Sequence, residues 1–349
     1  MLTEIIRLNE ERNVTLTAYI QSVGGEYQNI SKRPAILILP GGGYQYCSDR
    51  EADPVAMPYL LAGFQVFILR YSVKKNAVWP NPLNDYEQAM ILIRSKSDEW
   101  NLFEDKIAVI GFSAGGHLAA AAATMSMNRP NAAILGYAIT GENVQACNPN
   151  APDTSKAVDS KTCPCFIFST RTDFLVEVSN SIDFMKALFK HDIAFESHIY
   201  AFGPHGFSTG DTSVQDADTV ICKRASNWVS DSIGWLRDVL GEFGSNGLKS
   251  PVCKSHINGN HEAFLSVDCT RSHLMKNPDA KALIDKLLNS APPTNSKQAN
   301  DDTKSMFENV DMSKLLEKMV LRDLLSALGI NNEVILVLDS QLNNIPNII

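Results

Sequence analysis

Six short apolar runs, separated by stretches of helical periodicity, constrain this chain more than any of its other features. Residues 35–39, 65–71, 106–112, 132–137, 166–170 and 197–201 are rich in β-branched and other apolar side chains. Between or after them, residues 53–63, 84–96, 115–127, 178–191 and 216–240 read as helices. Strands that are apolar almost throughout must be covered on both faces, and helices lie where the cover is needed. The pattern therefore predicts an α/β fold with a mostly parallel central sheet and helices on both faces. Residues 14–20 alternate instead and read as an antiparallel edge strand. At 349 residues and 44% apolar, the chain can hold a large α/β domain and an addition.

The pattern changes near Gly241. Residues 241–247 are a linker by composition, so the expected division is a domain at 1–244 and a mainly helical C-terminal extension at 245–349. Within the extension, residues 278–288 and 313–328 read as helices. Leu315, Leu316, Met319, Leu324, Leu325 and Leu328 form a stripe on the second. A loop-like, mobile segment is expected at 291–304. So few short helices make a thin core, which predicts docking on the larger domain or on another subunit, and a possible homo-oligomer.

Net charge narrows the partners. At −8, the chain lacks the basic footprint that nucleic acid or an anionic membrane surface demands. No run approaches the roughly 18 apolar residues of a membrane span. The first residues, Met1 to Leu8, do not read as a secretory signal. Seven cysteines, an odd number at low density, read as reduced thiols, and a cytoplasmic location is expected. Cys163 and Cys165, flanking Pro164, read as structural.

One serine stands out. The run 106–112 leads directly into Gly111-Phe112-Ser113-Ala114-Gly115, and an Ala-rich helix follows at once. Two glycines allow a sharp strand-to-helix turn that presents the serine, with the Ala114 N–H at the helix start beside it. A serine hydroxyl needs a base, a group that orients the base, and donors for the oxyanion formed on attack. His205 follows the run 197–201 and Asp173 follows the run 166–170, each on a loop at a strand's carboxyl end. Pro40-Gly41-Gly42-Gly43-Tyr44 follows the run 35–39, and its contiguous glycines fit neither phosphate-loop pattern. Gly42, Gly43 and Ala114 are thus the candidate oxyanion donors. His117, His191 and His198 read as structural, and Asp192 and Asp211 are the weaker alternative acids. Tyr44, Tyr71 and Phe207 are candidate pocket walls, with ordinary core as the alternative. The chemistry needs no metal or organic cofactor.

These motifs resemble the α/β-hydrolases, in particular their carbohydrate-esterase branch that includes acetyl xylan esterase-like proteins. The likeness rests on Leu39-Pro-Gly-Gly-Gly-Tyr, Arg50-Glu-Ala-Asp-Pro-Val-Ala, Leu69-Arg-Tyr-Ser-Val, Gly111-Phe-Ser-Ala-Gly-Gly-His-Leu-Ala and Gly203-Pro-His-Gly-Phe, within residues 1–240. The resemblance implies a Ser113–His205–Asp173 triad, with the glycine motif and Ala114 as oxyanion hole. It also implies a serine esterase acting on a small-molecule acyl ester, short-chain and in the first place acetyl, on a sugar or oligosaccharide. A peptidase or amidase of the same fold, or a subunit whose extension mediates assembly, are the alternatives. Where such proteins often carry Asp-x-x-Val-Pro-Val, this chain has Glu177 in place of the proline. Residues 146–161 are short for a substrate-contacting insertion, which argues against a large polymer. Arg50 and Glu51 read as a structural ion pair. The extension resembles short helical tails appended to some bacterial carbohydrate-active enzymes.

Overall fold

A computed structural model describes residues 1–290 and 316–348. The chain divides into two compact units, Met1–Ser255 and His256–Ile349.

The first unit is built on an eight-stranded sheet: β1 (Leu2–Asn9), β2 (Val14–Ile20), β3 (Arg33–Leu39), β4 (Gln65–Arg70), β5 (Leu102–Phe112), β6 (Ala132–Gly136), β7 (Cys165–Thr170) and β8 (Phe195–Tyr200). Their spatial order is β1-β2-β4-β3-β5-β6-β7-β8. Pairing is parallel from β4 through β8, and β1 and β2 join antiparallel. The predicted edge strand is therefore second from the edge, because β1 pairs along its outer side. That strand was missed: its outward side chains are solvated and it has no long apolar run.

Five helices cover the sheet: α1 (Asp53–Leu61), α2 (Asn81–Ser95), α3 (Ser113–Met125), α4 (Ser179–Lys190) and α5 (Trp228–Leu240). Successive strand residues point to opposite faces, and the two cores divide accordingly. Leu37, Leu39, Val109, Leu135 and Ile167 meet α2, α3 and α4 on one face. Ile36, Ile38, Ile110, Ile134 and Phe168 meet α1 and α5 on the other. There, Phe168 and Trp228 stack with ring centroids 4.2 Å apart.

The predicted helix at 216–240 begins only at Trp228. The Cys222 N–H is spent on Phe202 O rather than on a helical carbonyl, and a 3-10 turn at Lys223–Asn227 leads into the helix. The unit boundary also lies beyond the expected 244. After a short hairpin at Phe243–Gly244 and Gly247–Leu248, the chain returns to the first unit. Val252 and Cys253 donate to Asp238 O, and Ala194 donates to Ser255 O.

The second unit has its own small core. Leu265, Val267, Leu274 and Ile284 pack with Leu321, Leu325, Ile335 and Leu338. The described residues of this unit include helices α6 (Arg271–Leu274), α7 (Pro278–Ser290), α8 (Leu321–Ala327) and α9 (Asn332–Leu342). The single helix predicted at 313–328 breaks in its described part. Val320 forms a β-bridge with Thr270, and Met319 O accepts from Arg271 N. Helix α9 was not anticipated. The expected loop at 291–304, with Leu315, lies outside the described residues. Among the described residues no helix is long and apolar enough to cross a membrane.

Candidate active site

β5 delivers Ser113 to the carboxyl edge of the sheet, and α3 starts on the same residue. The turn is sharp enough to hold Ser113 at φ +52°. It leaves no room for side chains around it. A Cβ on Gly111 would lie 2.1 Å from Gly115 O, and one on Gly115 would lie 2.1 Å from Leu39 O. The elbow read from the motif is thus a close packing of three backbone segments, β3, β5 and α3.

β7 and β8 end at the same edge and bring the other two residues to the serine. His205 Nε2 lies 2.8 Å from Ser113 Oγ, and His205 Nδ1 lies 2.6 Å from Asp173 Oδ2. Asp173 is buried, and its Oδ1 accepts the N–H groups of Leu175 and Val176, each at 2.9 Å. These two bonds hold the acid in register despite Glu177. A carboxylate can only accept, so Nδ1 carries the proton and Nε2 is free to take one from the serine. The Tyr137 ring packs edge-on against His205, 5.1 Å between centroids. The arrangement can deprotonate a hydroxyl and stabilise the resulting imidazolium.

The glycine loop faces Ser113 from the end of β3. Gly41 N donates to Glu51 Oε2 at 2.7 Å. The next two amides, of Gly42 and Gly43, have no acceptor among the described residues. Ala114 lies in the first turn of α3, where N–H groups lack intrahelical partners. The loop is fixed from below: Ser48 N donates to Gly41 O, Gln45 N to Gly42 O and Lys74 N to Tyr44 O.

Tyr44, Tyr71 and Phe207 do not line the cavity, which corrects their reading as pocket walls. All three are buried. The Tyr44 hydroxyl lies 2.7 Å from His117 Nδ1, Tyr71 donates to Pro40 O at 2.6 Å, and Phe207 packs on Tyr137. They brace the loops from the core side. His117 is fully buried, with Nε2 2.8 Å from Pro152 O, so Nε2 carries the proton and Nδ1 accepts from Tyr44. Burial lowers its pKa to about 4 and keeps it neutral. His198 stacks on Phe166, and Asp211 closes a local turn onto Ser213 N, so neither joins the site. Glu51 is not held by Arg50, as an ion pair would require. Its carboxylate takes the Gly41 amide and the Tyr137 hydroxyl, the latter at 2.6 Å.

A cavity of about 460 Å³ opens over Ser113 and His205. Arg50, Tyr46 and Asn143 give it polar lining, while Ile139, Ala146, Cys147, Leu175 and Val176 give it an apolar wall. Most of that wall comes from the segment after β6 and the turn after Asp173. Neither has a periodicity that sequence reasoning could follow. Among the described residues no cluster of three or more His, Cys, Asp or Glu side chains could hold a metal ion.

A serine elbow between β5 and α3, with acid and histidine past β7 and β8 of a largely parallel sheet, defines an α/β-hydrolase. Comparison with solved structures agrees. The α/β-hydrolase enzyme MGS-M1 from a Medee basin deep-sea metagenome library is 44% identical, with TM-score 0.65, over 69% of this chain and 98% of that one. This chain belongs to the α/β-hydrolases. The acetyl ester-xyloside bifunctional hydrolase of Caldicellulosiruptor lactoaceticus is 27% identical, with TM-score 0.58, over 67% of this chain and 95% of that one. The acetylxylan esterase of Xylanibacter ruminicola is 30% identical over 50% of this chain and 41% of its own length. The chain spans about two fifths or less of the curated relatives it matches. Residues 26–146 match the BD-FAE family model.

Proposed function

We propose that this protein is a serine esterase that removes short acyl groups, in the first place acetyl, from sugars or small oligosaccharides. The observation that carries this reading is the hydrogen-bonded chain Ser113 Oγ–His205 Nε2, His205 Nδ1–Asp173 Oδ2 at the floor of an open cavity. In this reading His205 takes the Ser113 proton as Oγ attacks the ester carbonyl. Asp173 holds the imidazole and stabilises its cation. The amides of Gly42, Gly43 and Ala114 receive the oxyanion. The C–O bond to the alcohol then breaks, the alcohol leaves with the proton from His205, and water cleaves the acyl-enzyme by the same path.

Relatives described as an acetylxylan esterase and an acetyl ester-xyloside hydrolase support the acetyl and sugar parts of the reading. The cavity lining supports them too. Tyr46, 59% exposed at the rim, offers an aromatic face of the kind on which a sugar ring can pack. Arg50 and Asn143 offer hydrogen-bond partners for hydroxyls. The test is turnover of p-nitrophenyl acetate and of acetylated xylo-oligosaccharides by wild type and Ser113→Ala, with amide analogues alongside. Undiminished turnover by the variant refutes the assigned nucleophile, and preference for amides refutes the esterase reading.

A further inference from the structure

The geometry points to Glu51 as a positioning residue that ties the oxyanion loop to the histidine loop through Tyr137. Glu51 follows the glycine loop in a short 3-10 turn, Asp49–Glu51, and its side chain is buried, 3% exposed. One carboxylate oxygen accepts Gly41 N at 2.7 Å, and the other accepts the Tyr137 hydroxyl at 2.6 Å. The tyrosine oxygen in turn accepts Ser208 N at 3.0 Å, three residues past His205. Ser208 donates its own hydroxyl to Arg50 O. A closed circuit thus runs from the first glycine of the oxyanion loop, through Glu51 and Tyr137, to the loop that carries His205.

Each donor in this circuit is matched. Tyr137 has one proton, which Glu51 takes, and a lone pair, which Ser208 N fills. Only a carboxylate accepts from both Gly41 and Tyr137 without turning a donor toward either. The cost of burying a carboxylate argues that the arrangement matters. Burial pushes the Glu51 pKa up, and the two donors, with His205 and Arg50 nearby, pull against that rise. A purely packing role at this position is served more cheaply by an apolar side chain. The consequence for the reaction is geometric. Gly41 N is engaged by Glu51, and the two residues that follow, Gly42 and Gly43, line the cavity, so the Glu51 bond fixes where their peptide planes begin. An ångström of drift there weakens the hydrogen bonds that form only as the oxyanion develops.

This inference rests on the Ser113 nucleophile proposed above, and its test reads the nucleophile directly. Ser113 is labelled with a fluorophosphonate, whose phosphoryl oxygen needs the same donors as an ester oxyanion. Labelling rates and p-nitrophenyl acetate kinetics are compared for wild type, Glu51→Gln, Tyr137→Phe and the double variant, with thermal melts to confirm folding. Each single variant is expected to label, and to turn over, about 10- to 100-fold more slowly, with KM within about twofold. The double variant is expected to fall no further than the poorer single one, because both cut one circuit. A folded Glu51→Gln protein that labels at the wild-type rate overturns the proposal, as does a change confined to KM. If Glu51→Gln does not fold, Tyr137→Phe, which keeps the ring against His205, carries the same comparison, and a wild-type kcat there is equally fatal. Wild-type protein that labels at Ser113 yet hydrolyses no ester refutes the esterase reading alone, and the labelling rates still decide the role of Glu51.

Discussion

Replacing Ser113 with glycine should leave the protein more stable than replacing it with alanine, although neither variant is expected to turn over ester. Ser113 sits at φ +52°, in the left-handed region, because the elbow must turn from β5 into α3 within one residue. For a residue with a Cβ, that conformation costs roughly 1–2 kcal/mol. Alanine keeps the Cβ and therefore the strain. Glycine releases the strain but gives back about 0.5–1 kcal/mol through the greater freedom of the unfolded chain. Both variants lose the hydroxyl's bond to His205 Nε2, so that term cancels in the comparison.

The net expectation is that Ser113→Gly exceeds Ser113→Ala in stability by about 0.5–1 kcal/mol. In a unit the size of Met1–Ser255 that corresponds to a Tm difference of about 1–4 °C. Thermal melts of the two proteins in one buffer measure it. An alanine variant that melts at or above the glycine variant refutes the reasoning, since it would mean that the elbow stores no backbone strain at Ser113.

Three further expectations follow from the site. Asp173→Asn should lower kcat by roughly 10³- to 10⁴-fold with little loss of stability, because an amide no longer fixes the His205 tautomer; ester kinetics and melts check both. Gly42→Ala should cost about 100-fold or more in kcat. Its Cβ would lie 2.2 Å from the Tyr46 carbonyl in a backbone at φ +132°, so the loop must move. His117 carries a pH signature in stability rather than activity. Its folded pKa, about 4, lies below the unfolded value near 6.5, so between these pH values the unfolded chain binds the extra proton. The contribution is whole above pH 6.5 and falls away toward pH 4, by about 3 kcal/mol across the window. Denaturant melts should show His117→Gln losing less stability over that window than wild type. Equal slopes would refute the assignment.

How far the site could be read in advance depended on whether each residue's task was set locally. Ser113 follows its strand directly, Asp173 and His205 lie on the loops just past theirs, and β5, β7 and β8 are parallel with their carboxyl ends together. Three local readings therefore converge on one place without any knowledge of tertiary contacts. The same logic failed for Tyr44, Tyr71 and Phe207. Adjacency to a motif says nothing about which side of a loop a ring will take, and these three turn toward the core. The cavity wall instead draws on Ile139, Ala146 and Cys147, from an irregular segment with no strand or helix period to reveal its facing. Tyr137 and Glu51 are 86 positions apart, and neither residue alone announces the bond between them. A signal was nonetheless present. Glu51 stands between the glycine loop and α1, and Tyr137 immediately follows the buried strand β6. A carboxylate and a phenol so placed are drawn into the interior beside a catalytic edge, where each must find a partner. Reading such residues as demands for partners, rather than pairing Glu51 with its neighbour Arg50, would have pointed from Glu51 across the sheet edge to Tyr137.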